Sequence, residues 1–222
     1  MIKVWGRPNS IHTQRVLWAC HEATLNYELI LASATMGPKG HISGGGRAYG
    51  IVETQQYREM NPNGTIPTID DDGYILWESN TISRYIAQAY APDALYGNNF
   101  KTLGLGSQWM DLANTQLEPA LHILVMELAR IPHQNRNQKN IENARRQIIP
   151  VLQCIDRHLA KNKYVAGDQF SVGDIAPGCA VYRWGLFNLE RPDMPNLKEW
   201  QAWLLDRPGF QNYVAPREHH LA

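Results

Sequence analysis

The spacing of apolar residues divides the chain into a first part in which strand and helix signals alternate and a second part that is helical. Four short apolar runs predict strands, at residues 2–5, 27–31, 65–70 and 74–77. Helical spacing of apolar residues predicts helices at residues 16–23, 54–60 and 82–89. The element order of the first part is therefore β-α-β-α-β-β-α.

Beyond residue 98 the apolar patterns have helical periodicity. Two long stripes cover residues 109–128 and 141–159, and shorter helices are predicted at residues 196–205 and 208–213. Ser171 and Asp174 have the spacing of a helix-capping pair. We predict a thioredoxin-like α/β domain over residues 1–90, a linker at 91–98 and an all-α bundle over 99–222.

Charge and hydropathy limit the classes of molecule that this protein is expected to bind. The 222 residues contain 21 Lys and Arg and 21 Asp and Glu, so the formal net charge at pH 7 is zero. Nucleic acid is therefore excluded as the main partner, because phosphate binding needs a basic excess or stripe. No apolar run approaches the ~20 residues of a membrane span, and residues 1–6 resemble a strand more than a secretion signal. These features predict a cytoplasmic protein without a membrane partner.

The cysteines and glycines indicate no redox, metal or phosphate motif. Cys20, Cys154 and Cys179 are far apart, lie in apolar helical patterns and form no C-x-x-C pair. We expect buried thiols, with neither a disulfide framework nor a metal. Residues 33–50 are rich in glycine, but Tyr49 stands where a G-x-G-x-x-G motif would need its third glycine. They predict a long surface loop.

One candidate site lies at residues 6–13, where a strand passes into a helix. The hydroxyl of Ser10 and the free amides of a helix N-terminus favour an anion, and a thiolate placed there would have its pKa lowered. The alternative is that Ser10 only caps the helix.

Two further candidates lie near the hairpin. If the peptide bond before Pro67 is cis, the backbone N–H and C=O of Ile66 are free to pair with an extended ligand; a purely structural proline is the alternative. Glu78 would attract an ammonium group, while Ser79 and the amides behind it would hold a carboxylate, unless Ser79 is simply a helix cap. Together with Ser10 these residues predict a cleft with an anion site at one end and a zwitterion site at the other.

Residues 61–69 (NPNGTIPTI) and 76–82 (LWESNTI) resemble the glutathione-site signature of the glutathione transferase superfamily. Residues 170–176 (FSVGDIA) resemble the capping box of its helical domain, and residues 194–197 and 207–210 resemble its closing helices. The likeness covers nearly the whole chain apart from the glycine-rich segment. The likeness is to the cytosolic members of that superfamily, of the serine-type or theta-like kind found in bacteria.

The resemblance implies an enzyme that lowers the pKa of the glutathione thiol and directs the thiolate at a small hydrophobic electrophile. Ser10 matches the hydroxyl that steadies the thiolate, and the backbone of Ile66 matches the contact with the cysteinyl part. Glu78 and Ser79 match the pair that holds the γ-glutamyl group. The implied glutathione-binding residues are Asn9, Ser10, Thr65, Ile66, Pro67, Glu78, Ser79 and Asn80.

The chain departs from the family pattern at two places. His12 stands where relatives with this spacing often have asparagine, so His12 assists Ser10, replaces it as the catalytic residue, or faces solvent. Gly64 stands where some members have a histidine for the glycyl carboxylate. That contact must come from elsewhere, and the candidates are Lys39, His41 and Arg47 in the glycine-rich segment.

The resemblance also implies a homodimer. Asp111 matches a position from which some members reach the neighbouring subunit's glutathione, or it is a solvated carboxylate. Trp109 and Gln116 are candidates for the second-substrate pocket, although an aromatic residue at helical spacing is more often core. Two other functions stay open: glutathione-dependent disulfide or peroxide reduction, and a non-catalytic binding module.

Overall fold

The computed structural model describes residues 1–33, 51–96 and 98–216. A four-stranded mixed sheet lies in the first part of the chain. Its strands are β1 (Ile2–Gly6), β2 (Tyr27–Leu31), β3 (Thr68–Asp71) and β4 (Tyr74–Trp77), in the spatial order β2-β1-β3-β4. β1 is parallel to β2 and antiparallel to β3, and β3 is antiparallel to β4.

The predicted strands are present, and one begins later than expected. The pattern predicts a strand from residue 65, whereas β3 begins at Thr68. Pro67, which lacks an N–H and cannot donate to a strand ladder, directly precedes it. Residues 65–67 therefore run outside the sheet ladder.

Three helices accompany the sheet: α1 (Ile11–Glu22), α2 (Gln55–Met60) and α3 (Ser79–Ala89). α1 packs against α3. Residues 34–50, for which a surface loop is predicted, lie outside the described residues.

The second part consists of helices. They are α4 (Phe100–Leu112), α5 (Glu118–Val125), α6 (Gln138–Leu159), α7 (Ile175–Gly185), α8 (Pro195–Leu205) and α9 (Pro208–Tyr213). The long apolar stripe at 109–128 predicts one regular helix, but two wider π-type turns interrupt it, at Ala113–Leu117 and Met126–Arg130. The first ends directly before Glu118-Pro119; a proline removes one backbone donor and forces a local adjustment of the helix.

A buried carboxylate stabilises the start of α7. Ser171 and Asp174 form the predicted capping box. Asp174 also accepts hydrogen bonds from the backbone N–H of Val165 and from Nε1 of Trp200, each at 3.0 Å. Burial raises the pKa of Asp174 to about 6, and its hydrogen bonds oppose that rise. Gly173, between Ser171 and Asp174 in the sequence, packs directly against Gly106. The start of α7 therefore approaches α4 with no side chain between them.

Candidate active site

Two adjoining cavities open beside the N-terminus of α1. The larger, about 330 Å³, lies between residues 63–66 and the starts of α1 and α3. The smaller, about 140 Å³, lies between the start of α1 and the region from α5 to the following π-type turn. Three side chains line both cavities: Arg7, Ser10 and His12. A group held at this junction is therefore accessible from both sides.

Ser10 is both a helix cap and a cavity residue. Its Oγ accepts a hydrogen bond from the backbone N–H of Thr13 at 3.4 Å, in the N-cap position of α1. The residue is 6% exposed, and it lines both cavities. The two interpretations of Ser10 are thus compatible, because the cap holds the hydroxyl at the end of the helix where anions are favoured.

His12 lies at the junction as well. Its Nδ1 is 3.3 Å from Oγ of Ser79, and its Nε2 is 3.1 Å from Oε2 of Glu118. Burial lowers the pKa of His12 to about 3, and the nearby guanidinium of Arg15 acts in the same direction while also neutralising Glu118. The ring is therefore neutral. Since a carboxylate only accepts, Nε2 carries the proton and Nδ1 accepts from Ser79.

A buried arginine connects the two parts of the chain beneath the site. The side chain of Arg15 is fully buried, and its guanidinium forms an ion pair with Glu118. It also donates to Oδ1 of Asn114 at 2.8 Å, to Oδ1 of Asn80 at 3.4 Å and to Oγ of Ser79 at 3.5 Å. These partners lie on α3, on the first π-type turn and on α5. Arg15 thereby sets the position of α3 relative to the helical part.

The start of α3 forms the far wall of the larger cavity. Glu78 is the N-cap residue with φ of 72°, in the left-handed region that costs energy for a non-glycine residue. Its carboxylate is exposed, whereas Ser79 is buried; both line the larger cavity. The predicted zwitterion site therefore has the expected arrangement, with an exposed carboxylate beside the N-terminus of an 11-residue helix.

The segment before β3 lies opposite the start of α3. The Ile66–Pro67 peptide bond is cis. Ile66 lines the larger cavity, and no described residue hydrogen-bonds to its backbone N–H or C=O. The neighbouring carbonyl of Thr65 accepts hydrogen bonds from Tyr57 Oη at 2.7 Å and from Asn61 Nδ2 at 2.9 Å. α2 and the turn after it thus anchor the segment while Ile66 stays available.

Several predicted contact residues lie away from both cavities. Asn80 is buried between α3 and α4, where its Nδ2 donates to the carbonyl of Met110 at 2.8 Å, so it is used in packing and not in the cavity wall. Trp109 is 7% exposed, and its ring centroid lies 4.5 Å from that of His158, in the core. Gln116 is exposed on the first π-type turn.

Other predicted residues have different placements. Asp111 is exposed on α4, and its Oδ1 accepts from Arg84 at 2.6 Å. Asn9 is buried and lines the smaller cavity. Lys39, His41 and Arg47 fall outside the described residues.

Comparisons with known proteins identify the family of this chain. A family model for the glutathione S-transferase N-terminal domain matches residues 5–94, and one for the C-terminal domain matches residues 117–208. Glutathione S-transferase GstB of Escherichia coli K12 is 37% identical over 218 residues, covering 96% of this chain and 98% of that protein. The chain belongs to the glutathione S-transferase family. The resemblance predicted from the glutathione-site signature is therefore confirmed.

Solved structures support the same assignment for this transferase. The glutathione-bound theta-class transferase of Xanthomonas axonopodis pv. citri has a TM-score of 0.86, 35% identity and 97% coverage of both chains. Glutathione transferase F2 of Populus trichocarpa has a TM-score of 0.79 at 25% identity. The predicted fold, a thioredoxin-like part followed by a helical part, is confirmed, and the chain is an enzyme of the glutathione S-transferase type with glutathione as substrate. Within the described residues, no helix is both long enough and apolar enough to cross a membrane.

Sequence reasoning found Glu78 but missed five other charged residues at or beneath the site: Arg7, Arg15, Glu118, Arg130 and Arg183. A signal existed for two of them, because Arg15 and Arg183 interrupt the apolar faces of α1 and α7. Arginines are rarely buried without a partner, so each such position indicates a polar contact. The identity of the partners is not visible in the sequence, since Glu118 is more than a hundred residues from Arg15.

Proposed function

We propose that this transferase binds glutathione in the larger cavity, holds its thiolate at Ser10 and receives a small electrophile in the smaller cavity. The observation that carries the proposal is that Arg7, Ser10 and His12 line both cavities. A sulfur atom at Ser10 can therefore be bound from one side and react on the other.

The larger cavity supplies a partner for two of the three parts of glutathione. The carboxylate of Glu78 attracts the γ-glutamyl ammonium group, and Ser79 with the N-terminus of α3 holds the γ-glutamyl carboxylate. The backbone of Ile66 pairs with the cysteinyl part in the manner of an added strand. For the glycyl carboxylate, Lys39, His41 and Arg47 remain the candidates.

Ser10 is the residue that stabilises the thiolate. Its hydroxyl, the N-terminal end of α1 and the cationic side chain of Arg7 all favour a negative sulfur over a neutral thiol. His12 has its proton directed at Glu118 and its other nitrogen at Ser79, so it has no donor left for the sulfur. We assign His12 a positioning role. The thiolate then attacks the electrophilic carbon, a C–S bond forms and the leaving group departs with its electron pair.

The test is a titration of the thiolate absorbance of bound glutathione against pH. In the wild-type protein we expect a thiol pKa well below its solution value, and Ser10→Ala restores the solution value. Ser107→Ala serves as the matched control, since Ser107 contacts Arg84 and lines neither cavity. A shift that survives Ser10→Ala and disappears in His12→Ala would transfer the role to His12 and favour disulfide or peroxide reduction. Absence of glutathione binding would contradict the proposal.

We also infer a cytoplasmic homodimer. Phe100, Leu105 and Tyr74 are large apolar side chains that are 82%, 49% and 52% exposed, and a second subunit would cover such surface. Asp111, 65% exposed on α4, is the candidate for a contact with the neighbouring subunit's glutathione. Light scattering of the purified protein tests the dimer; a mass near the 25.2 kDa of one chain would exclude it.

A further inference from the structure

The smaller cavity has an unusual lining for an apolar-substrate pocket. Its lining includes three apolar side chains, those of Leu121, Val125 and Met126. It also includes three arginines, Arg7, Arg130 and Arg183. Second-substrate pockets are commonly apolar with a small number of polar groups, so three cations in a cavity of about 140 Å³ require an explanation.

The acidic group in the described lining of this cavity is already engaged, and Arg183 donates to the carbonyl of Asn9 and to Oε1 of Gln14. Glu118 is the acidic residue among the described residues that line it, and Arg15 and His12 already hold its two oxygens. Burial lowers the pKa of Arg183 to about 9, and the nearby cations Arg7, Arg15 and Arg130 act in the same direction. The cations therefore repel one another, and a bound anion would relieve that repulsion.

Arg130 is the cation best placed to meet a ligand. In the described part of the chain it forms no ion pair, and its buried Nε has no hydrogen-bond partner. It ends the second π-type turn, whose wider backbone changes the direction of the side chains after α5. A planar guanidinium with free donors matches a carboxylate in geometry and charge.

We infer that the preferred electrophiles of this enzyme are small molecules that carry a carboxylate, which Arg130 binds together with Arg7 and Arg183. This inference rests on the proposed function, because it describes the second substrate of that reaction. The apolar side chains of the lining receive the carbon skeleton, and the reactive carbon faces Ser10 at the junction. Neutral hydrophobic electrophiles are then the poorer substrates.

The test compares 4-chloro-3-nitrobenzoate with 4-chloro-3-nitrobenzamide, which have nearly the same size and the same leaving group. In both reactions the thiolate attacks the ring carbon that carries chlorine, the C–S bond forms, and chloride leaves with the bonding pair after solvent has taken the thiol proton. The enzymatic kcat/KM is divided by the uncatalysed rate constant, so that intrinsic reactivity cancels. We expect the normalised value to be about tenfold higher for the benzoate, as for a charge-assisted hydrogen bond.

Substitutions of Arg130 test whether this residue causes the preference for the benzoate. Arg130→Gln is expected to remove about tenfold in kcat/KM for the benzoate and to change the benzamide by less than about twofold, whereas Arg130→Lys keeps part of the preference. Arg146→Gln is the matched control, because Arg146 lies on the exposed side of α6 and pairs with Glu142. High salt should raise KM for the benzoate alone. Equal normalised values for the two compounds, or a preference unchanged in Arg130→Gln, overturn the inference.

Two separate measurements distinguish a failure of the carboxylate inference from a failure of the proposed transferase function. Glutathione binding by calorimetry and turnover of the neutral 1-chloro-2,4-dinitrobenzene test the transferase reaction without the carboxylate. If both are present and the benzoate preference is absent, the proposed function stands and the inference is wrong. If both are absent, the proposed function itself fails.

The carboxylate can come from an organic acid or from a second glutathione unit. Glutathione disulfide, added to the benzoate reaction, distinguishes the two sources. Inhibition that weakens in Arg130→Gln assigns the cavity to a second glutathione unit. Inhibition that is competitive with glutathione and unchanged in Arg130→Gln assigns it to an organic acid.

Discussion

The two cavities are built in different ways. The larger one takes most of its distinctive wall from two short stretches, residues 63–66 and 78–79, that are close in sequence and include the N-terminus of α3. The smaller one is made of side chains from the start of α1, from α5 with the turn after it, and from Arg183 on α7. Backbone groups recognise the constant part of a substrate whatever the side chains, whereas a pocket of side chains can change with each sequence. The larger cavity is thus built from short local segments, whereas the smaller one needs residues that only helix packing brings together.

The largest expected effect concerns the ion pair on which both cavities depend. Glu118→Ala leaves the guanidinium of Arg15 buried without its carboxylate, and removal of one partner from a buried pair costs about 3–5 kcal/mol. Denaturant unfolding should show this loss, with glutathione binding and electrophile turnover both reduced. Glu142→Gln is the control, because Glu142 pairs with Arg145 and Arg146 at the surface and should change stability little. Wild-type stability in Glu118→Ala would show that the cavities do not share this support.

The second largest expected effect should change the smaller cavity more than the larger one. In Gly173→Ala the new Cβ would lie 2.4 Å from Cα of Gly106, so α4 and the start of α7 must move apart, at a cost of about 1–3 kcal/mol. Because α7 carries Arg183, we expect KM for the electrophile to rise more than Kd for glutathione. Gly185→Ala has open space around the new Cβ and should be neutral or stabilising. Equal changes in both constants would contradict a separate origin of the cavities.

A smaller effect is the pH dependence that His12 introduces at the junction. Its pKa is about 3 in the folded protein against an ordinary 6.5, so the folded state disfavours the charged ring. The resulting stability is present above pH 6.5 and is lost as the pH falls from 6.5 towards 3. His12→Gln, which can donate to Glu118 and accept from Ser79, should flatten this slope and keep most of the activity. Unfolding measured at several pH values checks the slope; the same slope in His12→Gln would assign it to other groups.

The smallest effect tests the use of backbone groups in the larger cavity. Ile66→Val keeps the N–H and C=O that face the ligand, so Kd for glutathione should change by less than about twofold. Isothermal titration calorimetry measures it directly. A large loss would mean that the side chain, and not the backbone, supplies the contact.

The sequence analysis named more residues of the larger cavity than of the smaller one. The signature at residues 61–69 and 76–82 pointed to the cis peptide bond before Pro67 and to Glu78 and Ser79, which line the larger cavity with Ile66, because short motifs encode local backbone geometry. Long-range packing decided the placement of other candidates: Trp109, chosen at helical spacing, and Asn80, chosen from the family resemblance, lie in the packing between helices. The two π-type turns were also missed, since an apolar stripe reports the direction of a helix face and not the width of its turns.

By itself the sequence determined the order of strands and helices and the family, and it named residues that line the larger cavity. Each of these depends on periodicity or on residues near one another in the chain. Only the tertiary structure decided that Arg15 pairs with Glu118, that His12 is neutral, and that Arg7, Arg130 and Arg183 share one cavity. The physical reason is that charge interactions depend on distance and burial in space. Residues far apart in the sequence acquire both only when the helices pack.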